Sequence, residues 1–437
     1  MRTNVIPEHL VKAEAAKCLG CYEPPCQKAC PAGIDIPGFI NRVLTGSLNS
    51  AAELIWDKNT LPAICGLVCP QEMLCRGACV AQQLDRVIDI GFLQYYAIKN
   101  GLRNGRLTGE IAVDESGTKV AVIGAGPCGL TCAYLLAEAG CMVIVFEQDE
   151  QAGGTMAKYI PEHRLPETVK SSDLERLQHK NISFSYRKQF GNDINLRDLT
   201  ATGYKALFIA TGQTVENKAS IPGDELDGVY SYKEVFKLFE SNKAIFSGKK
   251  AVVIGGGNVA LDTAVVLKSS GATEVNILYR RSEKEMPAWD EEIEYARNQG
   301  VSFRFQVRPV SFRSGHLNKV SNIELILTTA DKPETDGRIL YKDVPGTEFL
   351  MPVDLVVIAI GSTPEREMSS HLPGVQCSLD SMIAVDNATM MTSRTGIFAG
   401  GDARLGCSGT VVNAMAEGIA AARGIIKFLN SGGELLE

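Results

Sequence analysis

Hydrophobic and polar positions change rhythm along this chain. Up to about residue 113 apolar residues recur at helical spacing, in Ile36–Leu48 and Ile88–Leu102, within otherwise loop-rich sequence. Gly101, Gly105, Gly109 and the polar stretch Asp114–Thr118 mark a boundary. From Lys119 the pattern becomes βαβ. Val120–Ile123 predicts a buried strand, Leu130–Ala139 a helix and Met142–Phe146 a second strand, with a glycine turn after the first. The succession restarts with a strand at Ala251–Ile254, a helix over Val259–Ser269 and a strand at Glu274–Leu278. A last βα segment runs from Gly396 to Leu429. The glycine turns lie 131 residues apart (Gly124 to Gly255), a spacing of related domains rather than of a short repeat.

Composition narrows this picture only modestly. A length of 437 residues suggests about three domains. An apolar fraction of 45% and a charged fraction of 22% are those of a globular protein. The net charge of −7 speaks against nucleic acid or an anionic membrane as partner. No apolar core follows Met1 and no stretch reaches the ~18 apolar residues of a membrane span, so a cytoplasmic location is expected. There thiols stay reduced, and clustered cysteines read as metal ligands before disulfides.

The cysteines are clustered. Of 13 in the chain, eight fall in two early groups: Cys18, Cys21, Cys26 and Cys30-Pro31, then Cys65, Cys69-Pro70, Cys75 and Cys79. Thiolates at such short gaps can converge on an inorganic cluster, and a closing Cys-Pro is how bacterial ferredoxin runs end. Two four-thiolate zinc sites are the alternative. Structural zinc usually pairs two Cys-x2-Cys elements, which the gaps here fit poorly. Between Cys141 and Cys377 there is no cysteine, and none follows Gly154 closely, so a redox dithiol is not expected near either nucleotide turn. Cys128 and Cys132 read as small core residues on the first helix.

Gly124-Ala-Gly126-Pro-Cys-Gly129 follows a strand and opens a helix, as a dinucleotide-binding turn requires. Gly124 suits the tight turn, Gly126 lets a pyrophosphate approach the backbone, and Gly129 lets helix and sheet pack closely. Glu147 ends the second strand, where an acid can accept from a ribose. Gly255-Gly-Gly257-Asn258-Val259-Ala260 is the second such turn. Its second strand ends Tyr279-Arg280-Arg281 with no acid, and a guanidinium suits a 2′-phosphate. NADPH is the expectation there; Glu283 and Glu285, just beyond, keep NADH as the alternative.

Taken together, these residues resemble the flavin and iron–sulfur electron-input subunit of bacterial dihydropyrimidine dehydrogenase, within the superfamily of glutamate synthase small subunits. Phe208-Ile-Ala-Thr-Gly212 is similar to the strand by which two-dinucleotide flavoproteins leave their FAD domain, and Thr395–Asp402 to their closing motif. The resemblance implies an α/β fold: an N-terminal α-helical double [4Fe–4S] domain (1–113) and two Rossmann-like domains. FAD would be held by 114–212 and 362–437, with an NAD(P)H domain (213–361) inserted between. It implies one cluster on Cys18, Cys21, Cys26 and Cys79 and another on Cys30, Cys69, Cys75 and Gln94, with Cys65 a spare buried thiol. For FAD it implies Gly124, Gly126, Gly129, Glu147, Gly154, Arg164, Gly401, Asp402, Thr410 and Val411, and for the nicotinamide cofactor Gly255, Gly257, Asn258, Val259, Arg280, Arg281 and Gly361. The helix after Val411 would aim its positive end at the flavin ring. Segment Cys65–Cys79 and Asp89–Gln94 resemble the pyrimidine branch, whereas Tyr279–Pro287 is more like glutamate synthase. Expected activity is oxidation of NAD(P)H, with electrons passing through FAD and both clusters to an FMN-containing partner subunit that reduces uracil or thymine. A glutamate synthase small subunit is the alternative enzyme, and a zinc- and nucleotide-binding scaffold the alternative of another class. No catalytic acid or base is expected, since the protein positions and tunes cofactors.

Overall fold

In a computed structural model, residues 7–101, 117–333 and 339–435 are described. The chain divides into two compact units, Met1–Thr214 with Pro364–Glu437, and Val215–Thr363.

The first unit opens with helices α1 (Glu8–Ala15), α2 (Pro25–Lys28), α3 (Ile36–Leu44), α4 (Leu48–Trp56), α5 (Pro62–Val68) and α6 (Ile90–Gly101). The two helices expected here are present as α3 and α6. The others are short, and α2 and α5 begin on proline, whose fixed φ suits a first turn. Next come β1 (Lys119–Ile123), α7 (Pro127–Glu138), β2 (Met142–Glu147), α8 (Gly154–Lys158), α9 (Glu167–Arg176), β3 (Ile182–Tyr186), α10 (Leu196–Ala201) and β4 (Ala206–Ile209).

The second unit holds β5 (Val215–Glu216), β6 (Val229–Ser231), α11 (Tyr232–Ser241), β7 (Lys250–Ile254), α12 (Asn258–Ser269), β8 (Glu274–Tyr279), α13 (Asp290–Asn298) and β9 (Ser302–Phe305). It continues through β10 (Val307–Ser314), β11 (Val320–Pro333), β12 (Ile339–Asp343), β13 (Phe349–Pro352), β14 (Leu355–Ile358) and β15 (Ser362–Thr363). The chain then returns to the first unit as α14 (Met368–His371), β16 (Ile397–Ala399) and α15 (Val411–Asn430).

Each unit has a five-stranded parallel sheet, ordered β16-β4-β1-β2-β3 in the first and β6-β14-β7-β8-β9 in the second. Beyond an exposed leading lysine in β1 and β7, their central strands are apolar, as sheets covered on both faces require. The second unit adds an antiparallel sheet in which β11 pairs with β10, β12 and β13.

One apolar core runs from the helices of the cysteine-rich head (Phe39, Ile55, Ile64, Leu93) into the first sheet and its helices (Val122, Leu136, Phe208, Met415). Two polar links pin the head to that sheet. Thr60 and Thr131 share a buried hydrogen bond of 2.8 Å, and Asp173 on α9 accepts from the Ile64 backbone N–H at 2.8 Å. The carboxylate satisfies an otherwise orphan donor at the start of α5.

Candidate functional site: two thiol hollows and two dinucleotide turns

At the first turn Gly124 has φ +103°, a left-handed value, and a Cβ there would stand 2.5 Å from the Ala210 carbonyl. Gly126, by contrast, faces open space at the N-terminus of α7, whose first turn has no side-chain cap. Bare amides and a missing side chain are what a pyrophosphate needs. Gly154 backs onto Gly126, with a Cβ position 3.0 Å from its Cα. Glu147 is buried and holds two backbone donors, Ala125 at 2.7 Å and Asp149 at 2.9 Å. A cleft lined by Gly124, Glu147, Lys188 and Thr211 opens at this carboxyl edge of the sheet, where such folds bind ligands. Arg164 lies half-buried in the Pro161–Leu165 turn and does not line that cleft.

The closing motif meets this turn from the other side. A Cβ on Gly401 would stand 3.0 Å from the Cβ of Cys128, in the first turn of α7. Asp402 follows in a single 3-10 turn; burial, then the neighbouring Glu417, raises its pKa above the usual carboxylate value, while the Gly409 backbone N–H opposes the rise. Thr410 caps α15 and accepts from the Asn413 N–H at 3.3 Å, with Val411 the first helical residue.

Glu417 braces the site and was left unassigned by the sequence pattern. It is buried on α15, accepts from Gly401 N at 2.7 Å and pairs with Arg404 at 2.7 Å. A buried carboxylate needs such partners, and here they fix the loop that presents Asp402. The available signal was a charge in the apolar run Val411–Ala422.

The cysteines gather into two hollows. Cys18, Cys21, Cys26 and Cys79 line the outer one with Leu19, Pro25 and Val80. Cys30, Cys69, Cys75 and Gln94 line the inner one, and so does Cys65. Burial and then Cys79 push the Cys26 thiol up to about 11; burial and then Cys30 push Cys75 up to about 12. Cys69 is raised through contact with the Cys65 thiol and by burial. Metal-free, these crowded thiols hold their protons, and binding metal must displace them. Among the described residues no three His, Cys, Asp or Glu side chains are spaced to grip a single ion. Ligands of a [4Fe–4S] cube stand farther apart than ligands of one zinc, so the donor sets suit the cluster. Val412 on α15 also lines the inner hollow, which joins it to the helix carrying Thr410. A further hollow along β3, lined by Leu174, His179, Lys180 and Phe184, includes none of the expected site residues.

In the second unit Gly255 has φ +147°, and Gly257 faces open space at the uncapped start of α12. Asn258 is occupied, accepting from Trp289 N at 3.1 Å, and Val259 follows in the same turn. Gly361 (φ +95°) accepts from Asn217 N at 3.0 Å beside the short β5–β15 pair. Arg280 is exposed and makes no ion pair among the described residues, while Arg281 is half-buried beside Tyr279. The acids that could have served NADH are engaged. Glu283 pairs with Arg297 at 2.6 Å, and Glu285 holds Ser282 and the Tyr341 hydroxyl.

Residues 110–418 match the pyridine nucleotide-disulphide oxidoreductase family, and residues 2–106 match dihydropyrimidine dehydrogenase domain II, 4Fe-4S cluster. The chain is 34% identical over 439 residues to the glutamate synthase [NADPH] small chain of Escherichia coli, covering 97% of this chain and 92% of the relative. It is also 34% identical over 439 residues to the NADP(+)-dependent formate dehydrogenase subunit beta of Moorella thermoacetica, covering 94% of this chain and 61% of the relative. Among solved structures, FprA of Mycobacterium tuberculosis in complex with NADPH superposes with a TM-score of 0.59 at 20% identity, over 72% of this chain and 85% of that one. Such a likeness establishes the fold alone, that of two dinucleotide-binding domains. The expected placement in the pyrimidine branch therefore gives way to a broader one, toward the glutamate synthase alternative. The chain belongs to the glutamate synthase small-chain family: a pyridine nucleotide-disulphide oxidoreductase carrying an N-terminal 4Fe-4S domain.

Proposed function

We propose that this chain is the NADPH-oxidising input subunit of a multi-subunit enzyme of glutamate synthase type, binding FAD at the first turn and two [4Fe–4S] clusters in the head. A flavin converts a two-electron donor into a source of single electrons, and iron–sulfur clusters carry these one at a time. The chain's own residues supply binding and direction. Gly126 and the bare start of α7 would receive a pyrophosphate, and Glu147 holds the turn and offers its remaining lone pairs to a ribose. The amide end of α15, capped by Thr410, would favour negative charge on a flavin ring. Arg280 would meet a 2′-phosphate. Seven thiols in two hollows would shed protons to hold iron, with Gln94 beside them in the inner set.

One observation carries the reading: Val412, beside the α15 cap, lines the inner thiol hollow. The two hollows draw on one cysteine run, Cys18–Cys30, and in the outer one Cys18, Cys21 and Cys79 are part-exposed. This supports a route from the dinucleotide site through the inner set to the outer set and on to a partner. A second reading, delivery to an FMN-containing pyrimidine-reducing subunit, draws on the match of residues 2–106 to the dihydropyrimidine dehydrogenase domain.

Anaerobic purification of the tagged chain from its host, with identification of the co-purifying protein, decides between them. A large amidotransferase chain, with NADPH- and glutamine-dependent glutamate formation by the pair, is the expected result. A pyrimidine-reducing partner would favour the second reading, and a colourless chain without flavin or iron would defeat both.

A further inference from the structure

We propose that the inner hollow holds two competing fourth ligands, Gln94 and Cys65, and that Cys65 takes over the cluster whenever the Gln94 oxygen leaves it. The inference rests on the cluster reading above and concerns what completes the set of Cys30, Cys69 and Cys75.

Both candidates line the hollow. Cys65 is 2% exposed and lies one helical turn before Cys69, so the two thiols share a face and touch. Cys30 lines the same hollow. The position of Cys65 is that of a ligand rather than of a core thiol elsewhere in the head. Gln94 comes from α6 and is anchored by its amide nitrogen, which donates to the Pro62 carbonyl at 2.7 Å. Its oxygen accepts no hydrogen bond among the described residues and remains for the hollow. Pro62 is the first residue of α5, so the Gln94 anchor grips the helix that carries Cys65. One hydrogen bond thus ties Gln94 to the helix that presents Cys65.

Opposing effects keep the choice close. Iron–sulfur clusters favour soft thiolate over a neutral carboxamide. Three thiolates already crowd a dry site, however, and a fourth negative charge there is costly. A neutral amide avoids that cost. In the exchange the Cys65 S–H gives its proton to water, a sulfur–iron bond forms and the Gln94 oxygen–iron bond breaks; no electron is gained or lost. The site becomes more negative by one charge, so its reduction potential falls. The exchange would set how readily electrons leave the flavin side.

The test compares wild type, Gln94→Leu, Cys65→Ala and the double variant as full-length chains reconstituted anaerobically. Iron, flavin content and the reduced-state EPR spectrum are measured. Two clusters give about eight iron atoms per chain. Wild type and both single variants should hold that full load, Gln94→Leu with an altered inner signal and a lower potential. The double variant should fall to about half, its outer cluster and flavin intact as evidence of folding. Half the iron in Gln94→Leu would overturn the proposal, as would half in Cys65→Ala or a full load in the double variant. A wild-type chain without clusters would refute the cluster reading itself, an outcome separable from all of these.

Discussion

The two dinucleotide turns use the same backbone device against different surroundings. Gly124 and Gly255 both have positive φ and both back onto a strand-end carbonyl, of Ala210 and Ala359. Gly126 and Gly257 both open onto the bare start of a 12-residue helix. At the third position the turns part, Gly129 on α7 against Ala260 on α12. A Cβ on residue 129 would lie 1.9 Å from the Gly124 carbonyl, whereas α12 already accommodates one. The outer surfaces differ too. Helix α7 carries the head through Thr131, and α15 crosses it so tightly that a Cβ on Gly418 would lie 2.4 Å from the Cys128 carbonyl. Helix α12 packs on its own unit's α11, α13, β7 and β8. The first turn is therefore a wall shared by two functional layers, and the second is free to vary with its ligand.

Breaking that wall should have the largest effect. Gly129→Ala forces α7 off β1, and the displacement reaches both Thr60 and α15. Overpacking of this kind costs about 3 kcal/mol or more when the obstruction is backbone. The variant is expected to purify without flavin and with a lowered melting temperature. Normal flavin content would show that the helix can move away without consequence, and the comparison would fail at its base.

A second test separates the units by pH. Asp173, which holds the head through Ile64, is buried, and burial raises its pKa from 3.8 to about 7 against the opposing pull of the Ile64 N–H and Arg176. A carboxyl raised on folding stabilises the folded state below its unfolded pKa, and that contribution is lost as pH rises through the folded value. Head stability should therefore decline between about pH 4 and pH 7, by a few kcal/mol at most. Asp173→Asn keeps an acceptor for Ile64 and cannot ionise, so it should flatten this slope. Denaturation series on wild type and variant that run parallel across the window would refute the assignment.

How much of this was legible in the sequence follows from how local each signal is. Both glycine turns, their strands and the two cysteine groups are short-range patterns, and the structure shows those strands and helices within a few residues of expectation. Helices α4 and α5 escaped because Leu48–Trp56 and Pro62–Val68 are brief, and Pro62–Val68 is buried along almost its whole length, leaving little periodicity to read. Strands β10 to β13 alternate too irregularly to stand out, and β11 is interrupted by register shifts. Contacts between distant residues were not readable at all. Asp173 meets Ile64 across 109 positions, Glu417 meets Gly401 only because α15 folds back, and Cys65 joins the inner thiols through the packing of α5 on α6. Spacing suggests which cysteines can converge, but only the fold says which ones do.

The smallest effect should come from the strand ends, and it bears on coenzyme choice alone. Glu147 terminates β2 as a structural acid, both of whose oxygens hold backbone donors, so removing it would damage the turn as well as any ribose contact. Arg280, the residue after β8, is exposed and without an ion pair among the described residues, and its backbone carbonyl accepts from Thr328 at 2.6 Å. That bond belongs to the main chain and survives substitution. Arg280→Ala should therefore leave folding and flavin content unchanged. Loss of a charged hydrogen bond worth about 1.5–3 kcal/mol raises the KM for NADPH roughly 10- to 100-fold. NADH, lacking the 2′-phosphate, should be almost unaffected, so kcat/KM for the two coenzymes is the informative ratio. Equal losses would mean that Arg280 shapes the turn as Glu147 does, and the contrast between a load-sharing first turn and an adaptable second one would disappear.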